Sequence, residues 1–219
     1  MATDHTDDSI RQAANNTVKQ GESVRERVRD LTLETLTRRR FDRNAIRDTV
    51  RVVTEGVSSG AEGGGATAQQ SLAEAIRGMD QALTQVVEAG QQALRQLVDT
   101  GRGLSERELQ QSLAGLQKIE EDFVATIGQV AESASERVRP DLKEAVSKAT
   151  SAGTETGRQA AAAVAEFAQR FAGTSAELAL SGIELAGAFG VRFAQIASGV
   201  LAGTADALDK AKSETKRTP

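Results

Sequence analysis

Cysteine, tryptophan and tyrosine are absent from this chain, and histidine occurs once, as His5. Without cysteine there is no disulfide and no thiolate metal site, so nothing marks the chain for an oxidising compartment. The lone histidine lies near an end, where chains fray. Proline occurs twice, as Pro140 and the final Pro219, so almost nothing interrupts a helix. Aromatic residues make up 3% of the chain. Its core must therefore come from Leu, Val, Ile and Ala, which suit thin helix–helix seams and an elongated molecule. The first ten residues are polar and acidic. They lack the basic and apolar regions of a secretory signal, and cytoplasmic residence is the default expectation.

What is present is Ala, Gln, Glu, Arg and Leu, a composition that favours helix almost everywhere. The expected fold class is all-α: an elongated bundle of five to six long amphipathic helices with coiled-coil-like packing. Over residues 8–38, Ile10, Ala14, Val18, Gly21, Val24, Val28 and Leu31 recur in steps of three and four and predict one helix. Asp42 is placed to cap the next, with Phe41 stapled onto Ile46. That helix presents Ile46, Val50, Val53 and Val57, and the glycine-rich run 60–65 ends it.

Residues 67–100 carry Leu72, Ile76, Met79, Leu83, Val86, Leu94 and Leu97, near-heptad spacing broken by Gly90. Gly101 and Gly103 stop this helix. Ser105 and Glu108 form a capping box, with a Leu104–Leu109 staple, that opens the following one. Leu109, Leu113, Leu116, Phe123, Ile127 and Val130 line its face as far as Pro140. The apolar phase continues past the proline through Val138, Leu142, Val146 and Ala149, which leans towards a kink and leaves separate helices as the alternative. Ala160, Ala163, Val164, Phe167 and Phe171 extend the face to Gly173, and Thr174 and Ser175 open a last helix. The expected organisation is basic helices over 1–60, a glycine-rich loop at 61–66 and an acidic hairpin over 67–139. Ala-rich helices over 140–211 and a disordered tail at 212–219 complete it.

The stretch 175–208 is the most unusual part. Gly182, Ala186, Gly190, Ala194, Ser198 and Ala202 form an unbroken i, i+4 line of small residues, which permits unusually close approach of another surface. Leu178, Leu180, Ile183, Leu185, Phe189, Val191, Phe193, Ile196, Val200 and Leu201 surround it. Only Glu184 and Arg192 are charged between Glu177 and Asp206. Such a helix must be buried by something. Residues 185–205 have the length of a membrane span, but Arg192 and Gln195 fall at the middle, where a charge costs about 3 kcal/mol, and a span is disfavoured.

No motif for catalysis survives inspection. Gly56, Ser58 and Gly60 match Gly-x-Ser-x-Gly, yet a helix precedes them and the one histidine lies far upstream, so they read as a helix C-terminus. Gly63, Gly65 and Ala68 mimic a dinucleotide fingerprint with no strand leading in. Glu120, Glu121 and Asp122 lack the Glu-x-x-His partners of a bundle metal site and read as a solvated acidic turn. No enzyme activity, cofactor or metal is expected.

Charge is uneven. Residues 8–51 hold eleven basic and seven acidic side chains, whereas 62–136 hold five and twelve. Arg38, Arg39, Arg40, Arg43, Arg47 and Arg51 form a candidate anion-binding patch. The competing reading packs these basic helices against the acidic ones through rim ion pairs. A net charge of −4 without interleaved aromatics favours that second reading and disfavours nucleic acid as a partner.

The Ala- and Gln-rich amphipathic helices, the lack of Cys and Trp, and segments such as 147–152 and 160–167 resemble phasins, bacterial proteins that coat polyhydroxyalkanoate granules. The chain is equally similar in style to helical proteins of bacteria with high genomic GC. The phasin resemblance implies a non-enzymatic protein that covers an apolar granule and oligomerises. The expected function is therefore structural: a self-associating coat or scaffold that meets a granule, a lipid surface or partner helices. The apolar contact residues are Phe167, Phe171, Gly182, Ala186, Phe189, Gly190, Phe193, Ala194, Ile196 and Val200. The alternative is a regulatory module that grips a partner protein or nucleic acid through the arginine-rich helices.

Overall fold

A computed structural model describes residues 7–39, 42–63, 65–99, 106–171 and 195–203. Among these the chain forms seven α-helices: α1 Asp7–Gln20, α2 Val24–Arg38, α3 Arg43–Gly60, α4 Ala66–Asp99, α5 Glu106–Ser133, α6 Arg139–Ala152 and α7 Glu155–Phe171. A 3-10 turn, Ala61–Gly63, joins α3 to α4, and residues 195–203 are also helical. No strand occurs among the described residues.

The helix count exceeds the expected five to six for a local reason. The helix expected over 8–38 breaks at Gly21, which takes φ +69°, and Ser23, which takes φ +47°. Left-handed backbone at two positions so close together ends α1 and turns the chain back. Ile10, Ala14 and Val18 in α1 and Val24 and Val28 in α2 are buried as expected, Leu31 is half-buried, and α2 also buries Leu33 and Leu36. A second break falls at Gly153, with φ +73°, between α6 and α7.

Pro140 separates helices and kinks none. α5 ends at Ser133, and α6 begins with Pro140 in its first turn, where the missing N–H is not needed. The Arg139 side chain donates to the Ala134 carbonyl at 2.9 Å and closes the corner. The apolar phase runs on because Val138, in the corner itself, is buried.

The cap at α3 is as expected: Asp42 accepts from the Ala45 N–H at 2.9 Å. Phe41, Leu104 and Ser105, and with them both staples and the capping box, lie outside the described residues.

α4 is the axis of the bundle. At 34 residues it spans about 50 Å. Leu72, Ile76, Met79, Leu83, Val86, Leu94 and Leu97 are buried as the spacing predicts, but so are Ala75, Ala82, Val87, Ala89 and Ala93. A helix buried that broadly meets several neighbours, while Gln70, Arg77, Glu88, Gln92 and Gln96 keep one face exposed. α2 and α7 are its main partners, with α6 beside them, while α1 packs on α3 and α3 on α5. α5, the second helix of the expected acidic hairpin, packs mainly on α3, α7 and α6 and less on α4. One continuous core runs from Ile10 to Leu201.

Two helix crossings are set by glycine. At Gly60 a β-carbon would come within 2.6 Å of the Asn15 carbonyl oxygen, and Gly56 lies closer still to that of Arg11. Gly78 on α4 meets the Arg25 carbonyl of α2 in the same way. The Gly56, Ser58, Gly60 triplet is therefore the end of α3, as expected, and the packing face for α1. Buried threonines cost little here: Thr32, Thr49 and Thr54 each return their hydroxyl to the carbonyl four residues back, at 2.7–2.8 Å.

Candidate functional site

Four of the six arginines of the proposed anion patch are ion-paired within the molecule. Arg38 meets Glu34 at 2.6 Å, and Arg39 meets Asp7 at 2.6 Å. Arg51 contacts Glu55 at 3.0 Å and lies 3.7 Å from Asp7. Arg43 reaches from α3 to Asp122 of α5 through two nitrogens, and that hydrogen bond raises its pKa above the ordinary guanidinium value. Arg47 is exposed and has no ion pair among the described residues, and Arg40 lies outside them. The basic N-terminal helices are thus neutralised largely by carboxylates of the bundle. Arg25 follows the same pattern against Glu74 of α4, at 2.6 Å.

That last pair carries a pH signature. The hydrogen bond from Arg25 holds the Glu74 carboxyl below its ordinary value of 4.5. A carboxylate with a depressed folded-state pKa contributes stability above 4.5, and loses it as pH falls through the lower folded value. Glu74→Gln is therefore expected to lower the melting temperature near pH 7 by a few degrees at most, since the pair is part-exposed. The difference from wild type should shrink below pH 4.5, as thermal melts across pH 3–7 would reveal.

The expected acidic turn at Glu120, Glu121 and Asp122 is not a solvated one. It lies within α5, and only Glu121 is exposed. Asp122 holds Arg43, while Glu120 accepts the Thr154 hydroxyl at 2.6 Å. Among the described residues no cluster of three or more Asp, Glu, His or Cys could hold a metal ion.

Thr154 belongs to a polar seam that sequence reasoning missed. It caps α7 by accepting the Gly157 N–H at 2.9 Å. Asp80 of α4 completes the cap: it accepts the Glu155 N–H at 2.8 Å, the Thr156 N–H at 3.0 Å and the Thr156 hydroxyl at 2.7 Å. A carboxylate at a helix N-terminus is favoured by the unpaired N–H groups and the helix dipole. Further along, Gln159 donates to Gln91 at 3.0 Å, Gln91 donates to Glu166, and Arg95 grips Glu166 through two nitrogens at 2.8 and 2.6 Å. Asp80, Thr84, Gln91 and Arg95 thus form one stripe of α4 facing α7. The only sequence signal was a set of polar positions between the heptad leucines, which looks the same when it faces water.

Of the proposed apolar contact residues, Phe167 departs from its expected place. It is 1% exposed and part of the protein's own core, because the inner face of α7 turns it towards α4 and α5. Ile196 and Val200 are half-buried against that core, while the residues that follow each, Ala197 and Leu201, are fully buried. Gln195, Gly199 and Gly203 form the exposed side of that stretch. Phe171's side chain and Gly182, Ala186, Phe189, Gly190, Phe193 and Ala194 lie outside the described residues. No helix among the described residues is long and apolar enough to cross a membrane; most of the 185–205 stretch is not among them.

No curated protein and no solved structure matches the chain. One family model covers nearly all of it, residues 2–210, and the chain belongs to that family, DUF6781, a family of unknown function.

Proposed function

We propose that this is a non-enzymatic structural protein that self-associates and coats an apolar surface, using its charge-poor C-terminal segment as the contact. The supporting observation is a contrast within one chain. The helical body uses its charges on itself: Glu55, Glu74, Asp80, Asp122 and Glu166 all hold partners on other helices. The sequence between Glu177 and Asp206 offers only Glu184 and Arg192, and its described stretch adds Ala197 and Leu201 to the core of the body. A segment so poor in charge gains most from an apolar partner. The body is then an elongated carrier, and the surface is a storage granule, as the phasin resemblance implies, or a lipid surface. The same segments would support coiled-coil-like contacts between copies. The arginine-rich alternative loses support because most of its arginines are neutralised in place.

Flotation tests this reading. Full-length protein is expected to rise with phosphatidylcholine-coated triolein droplets, and Phe189→Asp plus Phe193→Asp should cut the bound fraction at least tenfold. The variant should keep the wild-type circular-dichroism spectrum. Wild-type protein left in the aqueous layer would overturn the proposal.

A further inference from the structure

The helices of this bundle are held in two different ways. α1 and α2 are pinned to α3 and α4 by backbone-to-backbone contact at Gly56, Gly60 and Gly78. α1, α2 and α4 also bury Ile10, Leu33, Leu72, Ile76, Met79 and Leu83 completely. α7 has little of this. Its buried apolar side chains are Ala160, Ala163 and Phe167, with Val164 half-buried. The rest of its attachment is polar: the seam from Asp80 to Glu166, and the Glu120 carboxylate of α5, which accepts the Thr154 hydroxyl and lies close against Gly157. Polar pairs differ from apolar contacts in one respect that matters: water replaces them at small net loss, whereas large apolar side chains resist exposure in proportion to their area.

The joint before α7 is built to turn. Gly153 is exposed and takes φ +73°, and Thr154 follows without helical structure. The outer face of α7 is also unusual, since Ala161, Ala162 and Ala165 stand exposed. With Phe167 and Val164 on the inner side, α7 would be apolar over most of its circumference once detached.

We propose that α7 is a releasable arm. Its polar seam acts as a latch, Gly153 acts as the pivot, and release presents Phe167 and the alanine faces to an apolar surface. The use of the arm rests on the coating function proposed above; its release does not. The latch keeps Phe167 covered in water, so that the protein stays dispersed until a surface offers a better partner. Release is a population shift, driven by the surface's affinity for the open form alone.

The chain has no cysteine, so one engineered pair gives a clean lock. The Thr84 and Thr156 hydroxyls lie 3.4 Å apart across α4 and α7. In full-length Thr84→Cys plus Thr156→Cys, oxidation is expected to reduce binding to the triolein droplets at least tenfold, and reduction should restore it. Undiminished binding of the oxidised form would overturn the proposal. A second measurement needs no droplets and no disulfide. Hydrogen exchange on the wild-type chain should show amides of 160–167 exchanging at least 100-fold faster than those of 50–57, with Asp80→Ala accelerating the first set about tenfold and not the second. Equal protection of the two sets would overturn the arm even if the cysteine variant failed to fold. Wild-type protein that binds no droplets yet shows the exchange difference would overturn the coating function and leave the arm standing.

Discussion

Alanine at Phe167 is expected to lower the unfolding free energy by about 4 kcal/mol, the usual cost of emptying a buried aromatic site. The side chain is 1% exposed and packs within the continuous core. Had it been a surface contact, the same change would cost no more than about 0.5 kcal/mol. Ala165→Asp, about half a turn away on the exposed side of α7, serves as the comparison and should fall within that smaller range. Urea unfolding of the two variants separates the cases. A small effect at Phe167 would mean that α7 does not bury this face. A large effect also warns that weaker droplet binding by a Phe167 variant would report on folding first.

The second large effect is a reversal of sign between identical substitutions. Gly78→Ala is expected to destabilise by about 2 kcal/mol: overpacking costs about 3, and removing a helical glycine returns about 1. The obstacle is the Arg25 carbonyl of α2, which is backbone and cannot rotate away. Gly128→Ala should instead stabilise by up to about 1 kcal/mol, because nothing lies within 4 Å of the added methyl group. In a chain of this size the two melting temperatures should then differ by roughly 6–12 °C. If Gly78→Ala also stabilised the protein, α2 and α4 could not cross as closely as described.

These two glycines show where reading the sequence stopped. Both sit in helices of similar composition, and only the position of α2 makes one indispensable. The small-residue line from Gly182 to Ala202 stands out in the sequence by its length. The close crossings observed use Gly56, Gly60 and Gly78, where the pattern is short and resembles a catalytic motif or simply a weak helix position. The arginines followed a similar course. Their density was visible, and so was the possibility of rim pairing; which carboxylate each one meets depended on helices brought together from distant parts of the chain. Arg43 and Asp122 are 79 residues apart.

By itself the sequence determined the all-helical class, the bounds of α3 and α4, the Asp42 cap and the buried face of each long helix. These depend on interactions within a few residues, namely side-chain periodicity, capping and the entropy of glycine, which are complete once the local order of residues is known. Tertiary structure alone decided the rest. It turned Gly21 and Gly153 from tolerated helix residues into turns, drew Phe167 inward, and set Asp80 against the N-terminus of a helix 75 residues further on. A backbone amide accepts any well-placed carboxylate, and a β-carbon clashes only when another chain segment is near. Neither the partner nor the clash exists until the helices have packed.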